Sequence, residues 1–265
     1  METAGYIASL IIGVSLGLVG GGGSILTMPV MVYLFSVQPL LATSYSLFVV
    51  GTTSLFGAAI NYQRGFVNIN TALLFGLSSI STVFITRKFV IPAIAGVTVN
   101  IGGTTVTEPA FTMVLFALLM IVAAFSMIQT KKLPAVVIQR EKNINITRLL
   151  LYGIAIGFVT GLLGAGGGFL LIPTLVMVVG LPMKEAVGTS LLIIALNSLI
   201  GFTGDLGHFT IDWKLLLSVT VIATAGIFIG GAIAKKIPGE KLKKVFGWFI
   251  LVMGIYIMIK EFFFN

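Results

Sequence analysis

The chain contains no cysteine and a single histidine among its 265 residues. Disulfides, thiolate chemistry and Cys-ligated metals are therefore excluded, and one imidazole cannot build a His-rich metal site. Charge is equally scarce. Charged residues make up 9% of the sequence and hydrophobic residues 57%, whereas a soluble domain carries about 25% charged residues. So little charge cannot cover a surface facing water, and the mean hydropathy of +1.13 places the chain among polytopic membrane proteins. No GxxxxGK[ST] run occurs, which argues against ATP-driven transport by this chain alone. The opening METAGYIASLIIGVSLG lacks a cationic stretch before its apolar run and an A-x-A-like cleavage site after it. It reads as a first membrane segment rather than a removable signal peptide.

The charge that is present is lopsided, with a formal net charge of +8. The basic residues do not form a patch with interleaved aromatics, so no nucleic-acid partner is implied. They fall between apolar segments, as the positive-inside rule expects of a protein whose partner is the lipid bilayer. Those segments run approximately over 4–19, 24–37, 44–60, 70–86, 110–128, 149–163, 169–180, 188–203, 213–234 and 245–260. Several are shorter than the roughly 20 residues needed to cross a hydrocarbon core. They suit half-helices meeting inside the membrane or short spans, about eight to ten membrane segments in all.

Glycine is plentiful, and its placement is informative. GLVGGGGSILTMP, Gly17 to Pro29, interrupts one apolar run, and GLLGAGGGFLLIP, Gly161 to Pro173, repeats it 144 residues later. The same offset pairs Ala42 with Ala186, Ser46 with Ser190, Ser54 with Ser198, Asn61 with Asp205, Arg64 with His208 and Asn68 with Asp212. A register kept that far identifies an internal duplication. It divides the chain into a first repeat, 1–128, a basic linker, 129–148, and a second repeat, 149–265.

Charge predicts the orientation of the halves. Lys131, Lys132, Arg140, Lys142 and Arg148 in the linker, with Lys235, Lys236, Lys241, Lys243 and Lys244 in the loop 235–244, account for ten of the sixteen basic residues. Both segments are expected to be cytoplasmic. The first-half counterpart of that loop, 87–108, holds only Arg87 and Lys88 against Glu108 and lies one helix from the linker, so it is expected outside. Equivalent loops on opposite sides make the repeats inverted. Each half then needs an odd number of crossings: five, or three plus a re-entrant hairpin. A single broken helix through both glycine-flanking segments would give four and is disfavoured. Both termini then lie outside.

Inverted repeats with helices interrupted at matching positions point to a transporter binding site. Gly20, Gly21, Gly22 and Gly23 before Ser24, and Gly164, Gly166 and Gly167 before Gly168, let a ligand approach main chain that carries no Cβ. Each restarting helix offers up to four unpaired N–H groups and about half a positive charge. Two such ends converging would hold an anion without a buried Lys or Arg. Glycines that merely allow close helix crossing remain the alternative. Thr43, Ser44 and Ser46, with Thr189 and Ser190, are candidate helix caps that still offer hydroxyls to a ligand. Arg64 and His208, in NYQRG and GDLGH, are candidates for a gate or for proton coupling, or routine interfacial charges. Asn197 reads more readily as glue between helices than as a ligand. An intramembrane serine protease built on Ser24 is disfavoured, because Ser24 pairs with Gly168 and His208 belongs to a loop-like stretch of the other half.

The duplicated glycine break ending in a proline, with GTSL at 188–191 after the second copy, resembles the TauE/SafE family of sulfite-exporter-like membrane permeases. The resemblance covers essentially the whole chain. It implies a secondary transporter moving small sulfur-containing anions such as sulfite or organosulfonates, outward, with no cofactor. By position, the motif residues are Gly20 to Ser24, Gly164 to Gly168, and Thr189 with Ser190. The first half departs from the pattern: it reads ATSYS at 42–46, with Tyr45 in place of the Thr.

The fold expected is thus an all-α polytopic membrane protein of two inverted repeats with glycine-broken half-helices. The function expected is an anion transporter working by alternating access. A passive anion channel and a membrane scaffold without substrate are the other readings. The sequence is compatible with a homodimer but does not establish one.

Overall fold

A computed structural model describes residues 2–21, 23–94, 99–101, 104–106, 108–128, 146–164, 166–208, 210–234 and 239–263. The described chain is overwhelmingly helical. The first half carries α1 (Glu2–Val19), α2 (Ser24–Leu34), α3 (Pro39–Gln63) and α4 (Ile69–Ile85). A π-helical turn, Thr86–Val90, and the short α5 (Ile91–Ile94) prolong α4, and a small antiparallel hairpin, β1 (Val99–Ile101) with β2 (Thr104–Val106), precedes α6 (Glu108–Ile128). The second half carries α7 (Ile146–Leu163), α8 (Gly168–Met177), α9 (Met183–Asp205), α10 (Trp213–Ile233) and α11 (Gly239–Phe263).

The duplication read from the sequence governs these boundaries. Helices starting at residues 2, 24, 39 and 69 have counterparts starting at 146, 168, 183 and 213, each 144 residues later. The local causes match as well. Asn68 caps α4 by accepting from the Thr71 N–H at 3.0 Å, and its counterpart Asp212 caps α10 by accepting from the Leu215 N–H at 3.1 Å. The fifth long helix of each half leaves the register, because α6 starts at 108, well after α4 ends at 85, whereas α11 starts at 239, soon after α10 ends at 233.

Packing exchanges partners between the halves. α1 lies along α10, and its counterpart α7 lies along α4, the counterpart of α10. Small residues let these axes approach: Gly13 meets the Ala223 backbone, and Gly157 meets Ser79, the residue equivalent to Ala223. α3 and α9 form the most enclosed pair and run antiparallel. Ser44 reaches Asp205 at one end, Gly51 faces Leu199 between, and Gly188 packs on Asn61 at the other. α6 and α11 pack on each other. Leu73, Leu77, Val221, Phe228, Trp248 and Val252 point outward, an apolar exterior suited to lipid. Among the described residues, four helical stretches are long and apolar enough to cross a membrane: Pro39–Gln63, Ile69–Ala93, Met183–Asp205 and Trp213–Ile233.

Three sequence expectations change. Residues 87–94, assigned to the outer loop 87–108, continue α4 as part of the span Ile69–Ala93. A basic residue at the end of an apolar run did not mark a loop there, since its charge is met inside the fold. In the basic segment 235–244, residues from Gly239 onward form the first turns of α11, while 235–238 lie outside the described residues; long lysine stems suit a helix end at an interface. In the linker 129–148, only 146–148 are described, as the start of α7. Third, Thr43, Ser44, Ser46, Thr189 and Ser190 do not cap helices. α3 begins at Pro39 behind Gln38, and α9 begins at Met183 behind Pro182. Proline has no N–H to satisfy and a preset φ, so both helices start more than a turn before the hydroxyls.

Candidate functional site

The first glycine break is a hairpin turn. Gly23 folds against Ile12, Ser15 and Leu16 of α1, and the Phe35 ring just beyond α2 packs on Gly5 and Tyr6, 5.5 Å between ring centroids for Tyr6. α2 therefore runs back along α1, and a single helix broken midway is ruled out for this pair. In the second half, Gly167 likewise returns to Ile156 and Thr160 of α7.

The two breaks meet. A Cβ added to Gly21 would stand 2.8 Å from the Gly168 Cα, and one added to Gly168 would stand 2.6 Å from the Gly21 carbonyl oxygen. No side chain fits between them, so glycine at both positions is what allows the halves to touch. Gly20 faces Val187 of α9, and its counterpart Gly164 faces Thr43 of α3, the residue equivalent to Val187. Gly22 lies outside the described residues.

The hydroxyls divide by their partners. Ser24 Oγ donates to the Gly21 carbonyl at 2.7 Å, and Ser190 Oγ donates to the carbonyls of Gly20 at 3.1 Å and Val187 at 2.9 Å. Thr189 Oγ1 accepts from the Asn68 N–H at 2.9 Å. Ser46 is buried without a partner for its Oγ, as is Ser198, which lies beside Gly166. Some of the expected main-chain donors are engaged within the turns. The amides of Ser24 and Leu26 point to the carbonyls of Gly21 and Gly23, and those of Leu170 and Leu171 to that of Gly167. Arg64 and His208 are exposed in the short connections after α3 and α9, and the His208 N–H donates to the Asp205 carbonyl at 3.1 Å.

The group that sequence reasoning missed is an ion pair. Arg87 and Asp205 have side-chain exposures of 0% and 2%, and Arg87 Nη1 donates to Asp205 Oδ2 at 3.2 Å. The same nitrogen donates to Thr43 Oγ1 at 2.9 Å, and Ser44 Oγ donates to Asp205 Oδ2. Four residues from α3, the π-helical turn after α4 and the end of α9 thus converge. Small residues make the room: Gly204 borders the Arg87 Cβ, and Gly164 borders its Nη2. One signal could have found Arg87. At the 144-residue offset it falls on Gly231, inside the apolar α10, so the repeat register places it within a helix rather than in a loop.

A family model described as Sulfite exporter TauE/SafE matches residues 6–257. The chain belongs to the TauE/SafE family. The match spans both glycine breaks as well as Arg87 and Asp205. Among curated relatives, the chain is 27% identical over 255 residues to a probable membrane transporter protein of Xylella fastidiosa strain 9a5c, covering 94% of this chain and 91% of that one. It is 24% identical over 239 residues to the probable membrane transporter protein YdhB of Bacillus subtilis, covering 89% and 92%. It is 34% identical over 114 residues to the probable membrane transporter protein MJ0441 of Methanocaldococcus jannaschii, covering 41% and 43%. No solved structure matches. This TauE/SafE member is a multi-pass membrane transporter and not an enzyme.

Proposed function

We propose that the protein is a secondary transporter that exports small sulfur-containing anions, sulfite or organosulfonates, by alternating access. The observation that carries this reading is the contact between two duplicated helix breaks, Gly21 against Gly168. Irregular backbone at membrane depth persists only where protein or a wet cavity satisfies it. Paired breaks at a repeat interface are the usual setting of a transported solute. The antiparallel course of α3 and α9, equivalent helices that are each long enough to span, supports the inverted arrangement. With the linker 129–148 and the segment 235–244 cytoplasmic, the protein sits in the cell membrane with both termini outside. Its partners are the anion, the bilayer and, in a homodimer, a second copy.

Counterflow in proteoliposomes tests the reading. Vesicles loaded with unlabelled sulfite should accumulate labelled sulfite transiently, and the Gly167→Val variant should not. Steady, non-saturating flux without acceleration by trans substrate would identify a channel instead. No flux of sulfite or any sulfonate from folded protein would remove the anion reading.

A further inference from the structure

We propose that Arg87 is the cationic ligand of the transported oxyanion, and that Asp205 is a resident carboxylate which partly neutralises Arg87 and competes with the anion for its charge. This rests on the anion-transport reading above and adds the side chains that reading lacked.

The hydrogen-bond pattern of the guanidinium carries the inference. Nη1 alone serves both Thr43 and Asp205, while Nε and Nη2 have no partner among the described residues. Those two N–H groups lie on one edge of the planar group and point the same way, the fork that fits two oxygens of one carboxylate, sulfonate or phosphate. An Arg kept only to neutralise Asp205 would present that fork to it. Here Asp205 meets a single nitrogen, and its Oδ1 is also unpartnered. Nη2 borders the second glycine break: a Cβ on Gly164 would come within 2.7 Å of it. One of the two unpartnered donor nitrogens of this fully buried cation therefore lies beside main chain that carries no side chain.

The duplication supplies an independent argument. The equivalents of Thr43, Ser44, Arg87 and Asp205 are Val187, Gly188, Gly231 and Asn61. The same packing position is built in the other half without charge, so the architecture does not require the pair. Burying two charges is expensive, and well-packed neutral groups often do as well or better for stability. A charged pair retained in one half only, with its best donor edge open, is explained by a ligand.

The ligand class follows from the site. One delocalised cation already partly neutralised by a carboxylate, with the Thr43 and Ser44 hydroxyls beside it, suits a small oxyanion of a single charge. Binding sets two oxyanions against one cation: the incoming anion takes the open Nε–Nη2 edge, and the Asp205 carboxylate, repelled by it, loosens from Nη1 and stays hydrogen-bonded to Ser44.

The test measures thermal stabilisation of purified protein by sulfite and by methanesulfonate, with chloride as control. Asp205→Asn removes the internal competitor, so its affinity should rise on the order of tenfold, as for any site freed from an occluding state. Its ligand-free form should melt lower than wild type and recover with the anion, a rescue that a merely structural pair would not show. The double variant Arg87→Met/Asp205→Leu leaves no unpaired charge and guards against a failure of Asp205→Asn to fold. It should fold and lose the sulfite shift. A double variant that keeps the wild-type shift overturns this proposal and leaves the transport reading intact, as does an unchanged affinity in folded Asp205→Asn. Wild type that responds to no anion overturns the anion reading itself.

Discussion

The two ends of the α3–α9 pair are built from equivalent residues and solved differently. At one end Ser44 and Asp205 join Thr43 and Arg87 in a buried charged cluster. At the other, Gly188 rests on Asn61 and the Phe66 carbonyl, and Asn61 spends its amide on the Gly57 carbonyl at 2.9 Å. The helices, their crossing and their antiparallel course are common to both ends. The charge is not. Duplication therefore supplies a symmetric frame, and selectivity for an anion is expected where the symmetry fails.

The sharpest way to break this comparison is to make the charged end resemble the neutral one in single steps. Arg87→Met leaves Asp205 buried without its counter-charge and should cost about 3–5 kcal/mol of stability, read as a large fall in melting temperature in detergent. The double variant with Asp205→Leu should regain most of it. Gly164→Ala should cost about 2–3 kcal/mol. Its φ of +65° disfavours an L side chain, and the new methyl would press on Thr43 and Arg87. The same substitution at Gly65, also at positive φ but with open space around it, should cost about 1 kcal/mol. The difference between the two reports the crowding beside Arg87.

The neutral end should respond less. Asn61→Ala removes one hydrogen bond from a half-buried amide, a loss of about 1 kcal/mol, with the sulfite affinity unchanged. Arg64→Ala and His208→Ala lie at exposed positions and should move stability by less than about 0.5 kcal/mol. If His208→Ala instead abolishes counterflow while the protein stays folded, coupling passes through that connection, and the asymmetry extends beyond Arg87 and Asp205.

Much of the fold was legible because the duplication could be read residue by residue. Gly17 to Pro29 against Gly161 to Pro173 located both breaks, and the apolar segments 70–86 and 213–234 anticipated α4 and α10, which Asn68 and Asp212 cap. Ser44, Ser46, Thr189 and Ser190 read as helix caps that also offer hydroxyls to a ligand, and the capping part fails: they are buried within α3 and α9. Proline at or just before the first helical residue moved both helix starts upstream of them. Arg87 was missed for a simple reason: an apolar run that ends in Arg-Lys looks the same whether the chain leaves the membrane there or finds a carboxylate inside it.

By itself the sequence determined the class of protein, the repeat and its register, and the two breaks. Each of these depends on composition or on local spacing, which a chain displays before it folds. Only the tertiary structure decided that Gly21 touches Gly168 and that Arg87 meets an aspartate 118 residues away. Periodicity relates a residue to neighbours three or four positions along its own helix. Which helix faces which is set by the packing of small residues on α1 against α10, on α7 against α4, and by the antiparallel fit of α3 on α9. That packing brought a cation, a carboxylate and a glycine break to one point, and no local pattern announces it.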